Sequence, residues 1–585
     1  MPLLAPLLLA AAIAAAGSAS APASAPAPSP DDVRFARVVE ETLEAHWKLD
    51  PEWAFAAGYY RHADTLAVPD GASRAAQIAF IDRTLTALAG FDPSRLSLSN
   101  RVDLALLRNW LEATRWHIET FRAWEWQPSA YNVADGFARQ LDTPYAPLEK
   151  RLRDMLVRLD RVPAYYAAAR ASLGTPTLEH TRLAILQNRG ALEVFGDPLL
   201  AKVDGSALDA AEKALFRERV ASARKAIEEY LTFLGELEGR LAKGGARSFR
   251  IGKELHAAKF TYDIQSSFTA DELHRMALAE KASLHDRMEL LARVLWPRYM
   301  GKRPIPEDRL ELIGAVIDEL GKHHVAPDQF LPEIRRQIPA LEAFVRTHDL
   351  VDQDPTRPLE VRETPVYLRG VAGAGINSPG PYDPGARTYY DVTPLEGGSS
   401  QSAESFLREY NDWTLQILNI HEAVPGHYLQ QIHANRSPSR VRTLFGSGAM
   451  VEGWAVYGER MMLDAGYGDN APEMWLLWMK WNLRAVVNAI LDREVQAGDM
   501  DEARALDLLR RQAFQTEAEA TEKWRRATLT QVQLMSYYDG YAEILALRAE
   551  EKARLGKEFR LKDFHNKLLS YGNAPVRVIR QLMKD

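Results

Sequence analysis

The sequence contains no cysteine. Disulfides and thiolate metal sites are therefore excluded, and any metal must be held by His, Asp or Glu. The same absence leaves no residue for a lipobox-type lipid anchor. A strong charge of either sign is also missing. The chain has 72 basic and 79 acidic side chains, a net charge of −7 over 585 residues. That balance gives no electrostatic footprint for nucleic acid and no polybasic patch for a membrane surface. Past the N-terminus there is no long uninterrupted apolar run. Met474 to Ile490 comes nearest, but it carries Lys480, Asn482 and Arg484 and reads as a buried amphipathic helix. Its Met and Trp residues read as core. Gly370 to Gly375 holds three glycines without a Walker lysine or a βαβ context, so it reads as a mobile loop and not as a phosphate cradle. Strand signals are few. Thr364 to Leu368 and Thr388 to Val392 predict a small accessory sheet.

What is present is mostly helical. Leu104, Leu107, Leu111, Ile118 and Phe121 recur at helical spacing and form one apolar stripe. Thr269-Ala270-Asp271-Glu272 is a capping box, with Phe268 placed to staple against Leu273. Glu404 to Ile420 and Met450 to Leu463 also predict helices. At the N-terminus, Leu3 to Ala16 is apolar except for Pro6 and is too short to span a bilayer. Small residues such as Ala19-Ser20-Ala21 follow. This pattern reads as a signal peptide over residues 1–21, although no Lys or Arg precedes the apolar run; the plainer alternative is an Ala-rich tail. Residues 22–30 read as a disordered tether and 31–585 as a single large helical domain. The expected location is periplasmic or secreted.

The most informative stretch is Asn419-Ile420-His421-Glu422-Ala423-Val424-Pro425-Gly426-His427. In H-E-x-x-H, two histidines one turn apart share a helix face and bind zinc, and the glutamate acts on a water. Here the histidines are six residues apart. On an unbroken helix they would lie roughly 240° apart and face away from one ion. The sequence supplies the break. Pro425 cannot donate to the carbonyl of His421 and disfavours helical geometry at Val424, while Gly426 tolerates unusual backbone angles. A catalytic zinc needs a third protein ligand, and Glu452 in Val451-Glu452-Gly453-Trp454-Ala455-Val456-Tyr457-Gly458-Glu459 is the best candidate. It lies 25 residues beyond His427, room for a turn and a second helix, with Gly453 allowing close backbone approach. Glu459 shares its helical face and either orients a histidine from behind or is itself the ligand. Glu422 is the expected base. His433, with no second Pro-Gly before it, reads as an ordinary polar residue. The plainer reading of each piece alone is a surface His-Glu pair and a Pro-Gly turn; their combination favours Zn²⁺.

With these residues the chain resembles the bacterial domain-of-unknown-function family numbered 885, relatives of gluzincin-type zinc peptidases. His421-Glu422-Ala423-Val424-Pro425-Gly426-His427-Tyr428-Leu429-Gln430 and Glu452 through Glu459 carry the resemblance. Weaker matches are Pro51 through Gly58 to Asp64, Asn488 to Asp492, and Ser536-Tyr537-Tyr538-Asp539-Gly540. Tyr428, Gln496 and Gln531 stand where the family often has His, His and Pro. The resemblance implies a mainly α body with a deep cleft, similar to Taq-type carboxypeptidases and thimet-type oligopeptidases. It implies His421, His427 and Glu452 as ligands, Glu422 as base, and Tyr537 as a donor to the oxyanion. The function expected is hydrolysis of short peptides by an exported zinc peptidase. The alternatives are a zinc amidohydrolase acting on cell-wall or modified peptides, and a peptide-binding protein with a relic metal motif.

Overall fold

Helix starts follow local signals closely. In the computed structural model, which describes residues 29–364, 374–395 and 400–584, helix takes 71% and strand 3% of the chain. The signal-peptide segment and nearly all of the tether lie outside the described residues, as do 365–368 of one expected strand and 370–373 of the glycine loop. The stripe of Leu104, Leu107 and Leu111 winds as α1 (Leu98–Trp116), and a π-helical turn, His117–Phe121, carries it to a buried Phe121. α2 (Ala210–Leu241) is long and buries Phe216, Ile227 and Tyr230. α3 (Ala270–Tyr299) begins at the expected capping box: Thr269 Oγ1 accepts from Glu272 N at 3.2 Å, and Glu272 Oε2 accepts from Thr269 N at 2.8 Å. α4 (Phe330–Thr347) then leads into a small sheet.

The sheet has three strands, β1 (Leu359–Glu363), β2 (Ala374–Asn377) and β3 (Thr388–Val392), in the order β1-β3-β2. β1 runs parallel to β3, and β2 runs antiparallel to it. β3 is where the sequence expects it. β1 lies before the expected Thr364 to Leu368 segment: Leu359 and Val361 alternate with Glu360 and Arg362, but Glu363 then breaks the pattern and leaves too short a run to read as a strand. Thr364 ends it by donating its N–H to Val392 O at 2.9 Å.

The remaining helices carry the site. They are α5 (Ser400–Glu409), α6 (Thr414–Glu422), α7 (His427–Ala434), α8 (Gly448–Asp464), α9 (Pro472–Ala497), α10 (Glu517–Leu529) and α11 (Ser536–Leu555). One correction concerns Glu404 to Ile420, which the sequence reads as one helix. The chain breaks at Asn411, whose Oδ1 accepts from both Trp413 N and Thr414 N at 3.2 Å and starts α6 afresh. α9, the Trp- and Met-rich segment, packs against α3 and α8; no described helix is long and apolar enough to cross a membrane. Apolar packing within 31–585 forms two large cores. One spans the site helices and the sheet, and the other gathers residues from Tyr131 to Leu241 around α2.

Candidate metal centre

The two histidines meet because their helix is broken. α6 ends at Glu422, the Val424–Pro425 peptide is cis, and α7 starts at His427. Ala423 N and Val424 N both donate to Asn419 O, at 2.9 and 3.3 Å, and Gly426 N reaches back to Ile420 O at 3.0 Å. Gly426 is needed as the sequence suggests: its φ of −69° and ψ of −138° fall outside the regions usual for a residue with a Cβ, and a Cβ there would lie 1.8 Å from His421 O. Trp454 on α8 holds the break by donating its indole N–H to Pro425 O at 2.8 Å.

The result brings three side chains to one point. Glu452 Oε2 lies 3.5 Å from His427 Nε2 and 3.8 Å from His421 Nε2, and the imidazole rings stand at 87° to each other. Among the described residues this is the one group of three His, Asp or Glu whose donor atoms all lie within 4.8 Å of one another. A tetrahedral zinc with bonds of about 2.1 Å places its ligands roughly 3.4 Å apart. The observed donor set and spacing fit that ion. Glu459, two turns on from Glu452, sits on the opposite side of His421: Oε1 contacts His421 Nδ1 at 2.7 Å and accepts from Trp481 Nε1 at 3.0 Å. A proton on Nδ1 satisfies Glu459 and leaves the Nε2 lone pair facing His427 and Glu452. Glu459 is fully buried, and burial pushes its pKa far up.

Two cavities meet at this triad. His421 and Glu422 line one of about 740 Å³, whereas His427 and Glu452 line another of about 380 Å³. β2, an edge of the described sheet, borders both: Ala374 faces the first and Ile376 the second. Glu422 is half-buried in the larger cavity and has no hydrogen-bond partner among the described residues. Burial raises its pKa to about 7, with His427 opposing and Glu452 adding to the rise. Burial, reinforced by His427, lowers His421 to about 3. For His427, burial pulls downward but contact with Glu452 outweighs it, and the net shift is upward. Glu452 moves the other way, since His427 and His421 outweigh its burial.

Tyr537 lines the same cavity as Glu422, and its hydroxyl receives a hydrogen bond from Arg526 Nη2 at 3.1 Å. α11 comes this close to the triad through a glycine crossing. A Cβ on Gly453 would lie 2.4 Å from Gly540 Cα, and one on Gly540 would lie 1.7 Å from Ala449 O. Gly453 does permit close approach, but to α11 and not to the histidine helices. Asp492 braces the turn before α11 by accepting from Val532 N at 3.0 Å, with His256 Nε2 2.8 Å from the same oxygen. His433 stays outside the triad, 2.9 Å from Asp352 O. The positions that depart from the family pattern have structural partners: Tyr428 bonds Arg357 O, Gln496 donates to Ala527 O at 2.6 Å, and Gln531 accepts from Gln127 at 3.3 Å. Sequence reading missed Trp454 as the brace, Gly540 as the crossing, and Arg526 and Lys523 on the cavity wall. The two glycines at a fixed place in their motifs were the available signal for the crossing. Nothing marked the cations.

Fold and site together define a mainly α-helical protein with a two-histidine, one-glutamate cluster at the junction of two cavities. The chain matches the family described as "Bacterial protein of unknown function (DUF885)" over residues 51–583, and it belongs to that family. A solved structure of a candidate lipoprotein of unknown function from Shewanella oneidensis is similar, with 50% identity and a TM-score of 0.85, over 94% of this chain and 100% of that one. A second, from a candidate lipoprotein of Colwellia psychrerythraea, shares the fold at 19% identity and a TM-score of 0.77, over 95% of this chain and 98% of that one. No curated protein matches the chain.

Proposed function

We propose that this protein is a zinc-dependent peptidase of the cell envelope that hydrolyses short peptides. The observation that carries this reading is the convergence of His421 Nε2, His427 Nε2 and Glu452 Oε2, with the unbonded Glu422 carboxylate beside them in a cavity. His421, His427 and Glu452 would hold the ion. When bound, Zn²⁺ supplies Lewis acidity that polarises a carbonyl and makes a water more acidic. Glu422 then takes a proton from the attacking water and returns it to the departing amine. Glu459 keeps the His421 ring in the tautomer that presents Nε2. Tyr537, steadied by Arg526, offers its hydroxyl to the oxygen that gains charge during attack.

A peptide substrate is supported by β2. As the outermost described strand, β2 runs past both cavities, and such an edge can pair with an extended peptide through main-chain hydrogen bonds. An envelope location is supported by the apolar N-terminal run and by the description of the Shewanella relative as a candidate lipoprotein. The direct test is mass-spectrometric product mapping on a mixed peptide library, with and without chelator, alongside Glu422→Gln. Chelator-sensitive cleavage that Glu422→Gln abolishes is expected. Cleavage indifferent to both would remove the peptidase reading, and stoichiometric peptide binding without cleavage would favour a non-catalytic binder.

A further inference from the structure

The charges around the larger cavity do not balance, and the excess is local. Glu409 receives Lys480 at 2.8 Å and Arg484 at 3.5 Å, and Glu519 receives Arg484 at 2.9 Å. Glu517 pairs with Arg510 at 2.9 Å and Glu522 with Arg525 at 3.5 Å. These carboxylates are all engaged. Two cations on the wall have no carboxylate partner among the described residues: Lys523 and Arg526, both on α10. Three residues apart, they share one helix face. Arg526 spends Nη2 on Gln533 Oε1 at 2.7 Å and Tyr537 Oη at 3.1 Å, both neutral groups. Lys523 is 8% exposed and has neither a hydrogen bond nor an ion pair among the described residues.

A buried ammonium without a counter-charge is costly, and native proteins rarely leave one unpaired. Burial, helped by Arg484 and Arg526 and opposed by Glu519 and Glu452, draws Lys523 down to about 7. Both cations also lie near the triad, since the charge of Glu452 acts on Lys523 and that of Arg526 acts on Glu452. Among the described residues, Glu422, next to His421, is the carboxylate on the cavity wall without an ion pair. A chain bound in this cavity therefore meets Glu422 and two positive groups that have no ion pair among the described residues.

We infer that Lys523 and Arg526 receive the C-terminal carboxylate of the peptide, so that the protein trims chain ends and does not cut interior bonds. A carboxylate fits the geometry, because an ammonium and a guanidinium on one face can each contribute charge-assisted hydrogen bonds to its two oxygens. This rests on the peptidase reading and assigns that site its substrate class. The same chemistry has two sources, the terminal α-carboxylate and an acidic side chain, and the test separates them.

Binding is measured by calorimetry on the full chain carrying Glu422→Gln, so that no turnover is required. The probes are one tetrapeptide as free acid, its C-terminal amide, and amides ending in Glu or Gln. The free acid is expected to bind roughly 10- to 100-fold tighter than its amide, the range of a lost charged hydrogen bond. Adding Lys523→Met should shrink that ratio to about 2-fold while leaving amide affinity nearly unchanged. Equal binding of acid and amide would overturn the inference. So would an amide ending in Glu that binds as tightly as the free acid while the Gln amide does not, which would assign the pair to a side chain. If Lys523→Met fails to fold, the acid-to-amide ratio on the Glu422→Gln chain still decides. Failure here is distinct from failure of the peptidase reading. Acid and amide cut at equal rates would end this inference alone, whereas a preference for the acid without any cleavage would end the peptidase reading and the trimming with it, and leave only the carboxylate subsite.

Discussion

The two apolar cores satisfy their buried polar groups to different degrees, although Arg158 Nε and Gln187 Oε1 lack a partner even in the core around α2. In the core around α2, Tyr166 Oη donates to Asn188 Oδ1 at 2.7 Å, and Asn188 Nδ2 donates to Tyr131 O and Ala184 O. Gln140 is likewise satisfied on both sides, donating to Ala63 O and accepting from Arg158. Around the triad more such groups are left open. Glu422 and Lys523 have no hydrogen-bond partner among the described residues, and Glu459 Oε2 and Asp492 Oδ2 are buried without one. Polar groups that satisfy one another serve a fold. Polar groups left open at a cavity are what a ligand, metal or substrate completes. The contrast predicts that changes near the triad alter chemistry before stability, and that changes in the other core do the opposite.

The sharpest break would come at Glu422. Glu422→Gln should cut turnover by a factor on the order of 10² or more while leaving metal content and Tm unchanged; steady-state kinetics with metal analysis on the same sample checks this. Next come the two glutamates of α8. Glu452→Ala should release the ion, whereas Glu459→Ala should weaken binding by about 10- to 100-fold through loss of its hold on His421. Competition with a calibrated chelator ranks them, and full metal retention in Glu452→Ala would reverse the two roles. Gly540→Ala tests the crossing that brings Tyr537 in. A Cβ there meets Ala449 O, so a loss of about 3 kcal/mol in denaturant unfolding is expected, with activity falling as α11 shifts. The smallest effect belongs to the other core. Tyr166→Phe strands Asn188 Oδ1 and should cost about 1 kcal/mol with kcat/KM untouched. A matching loss of activity there would erase the distinction between the regions.

Much of the site was legible because its anomaly and its remedy lie close together. His421 and His427 are misplaced for a helix, and Pro425 and Gly426 lie between them. Glu452 and Glu459 were legible as a pair on one face, but their order was not, since that depends on which imidazole nitrogen each one meets. The capping box at Thr269 needed only local chemistry. The break at Asn411 was missed because apolar periodicity continues across it, and the β1 strand because its alternation from Leu359 to Arg362 is short and ends at Glu363. Lys523 and Arg526 were invisible for a related reason. Glu517 to Arg526 reads as a salt-bridged surface helix, and only tertiary packing shows which of its charges lack a partner.

The central claim is that a chain break swings two imidazoles, six positions apart, onto one ion with Glu452. Elemental analysis of metal-replete protein purified without chelator tests it most directly, comparing the wild-type chain with His427→Ala. One zinc per chain, lost in His427→Ala, is the expected result. No stoichiometric metal in the wild type, or the same amount in the variant, would contradict it.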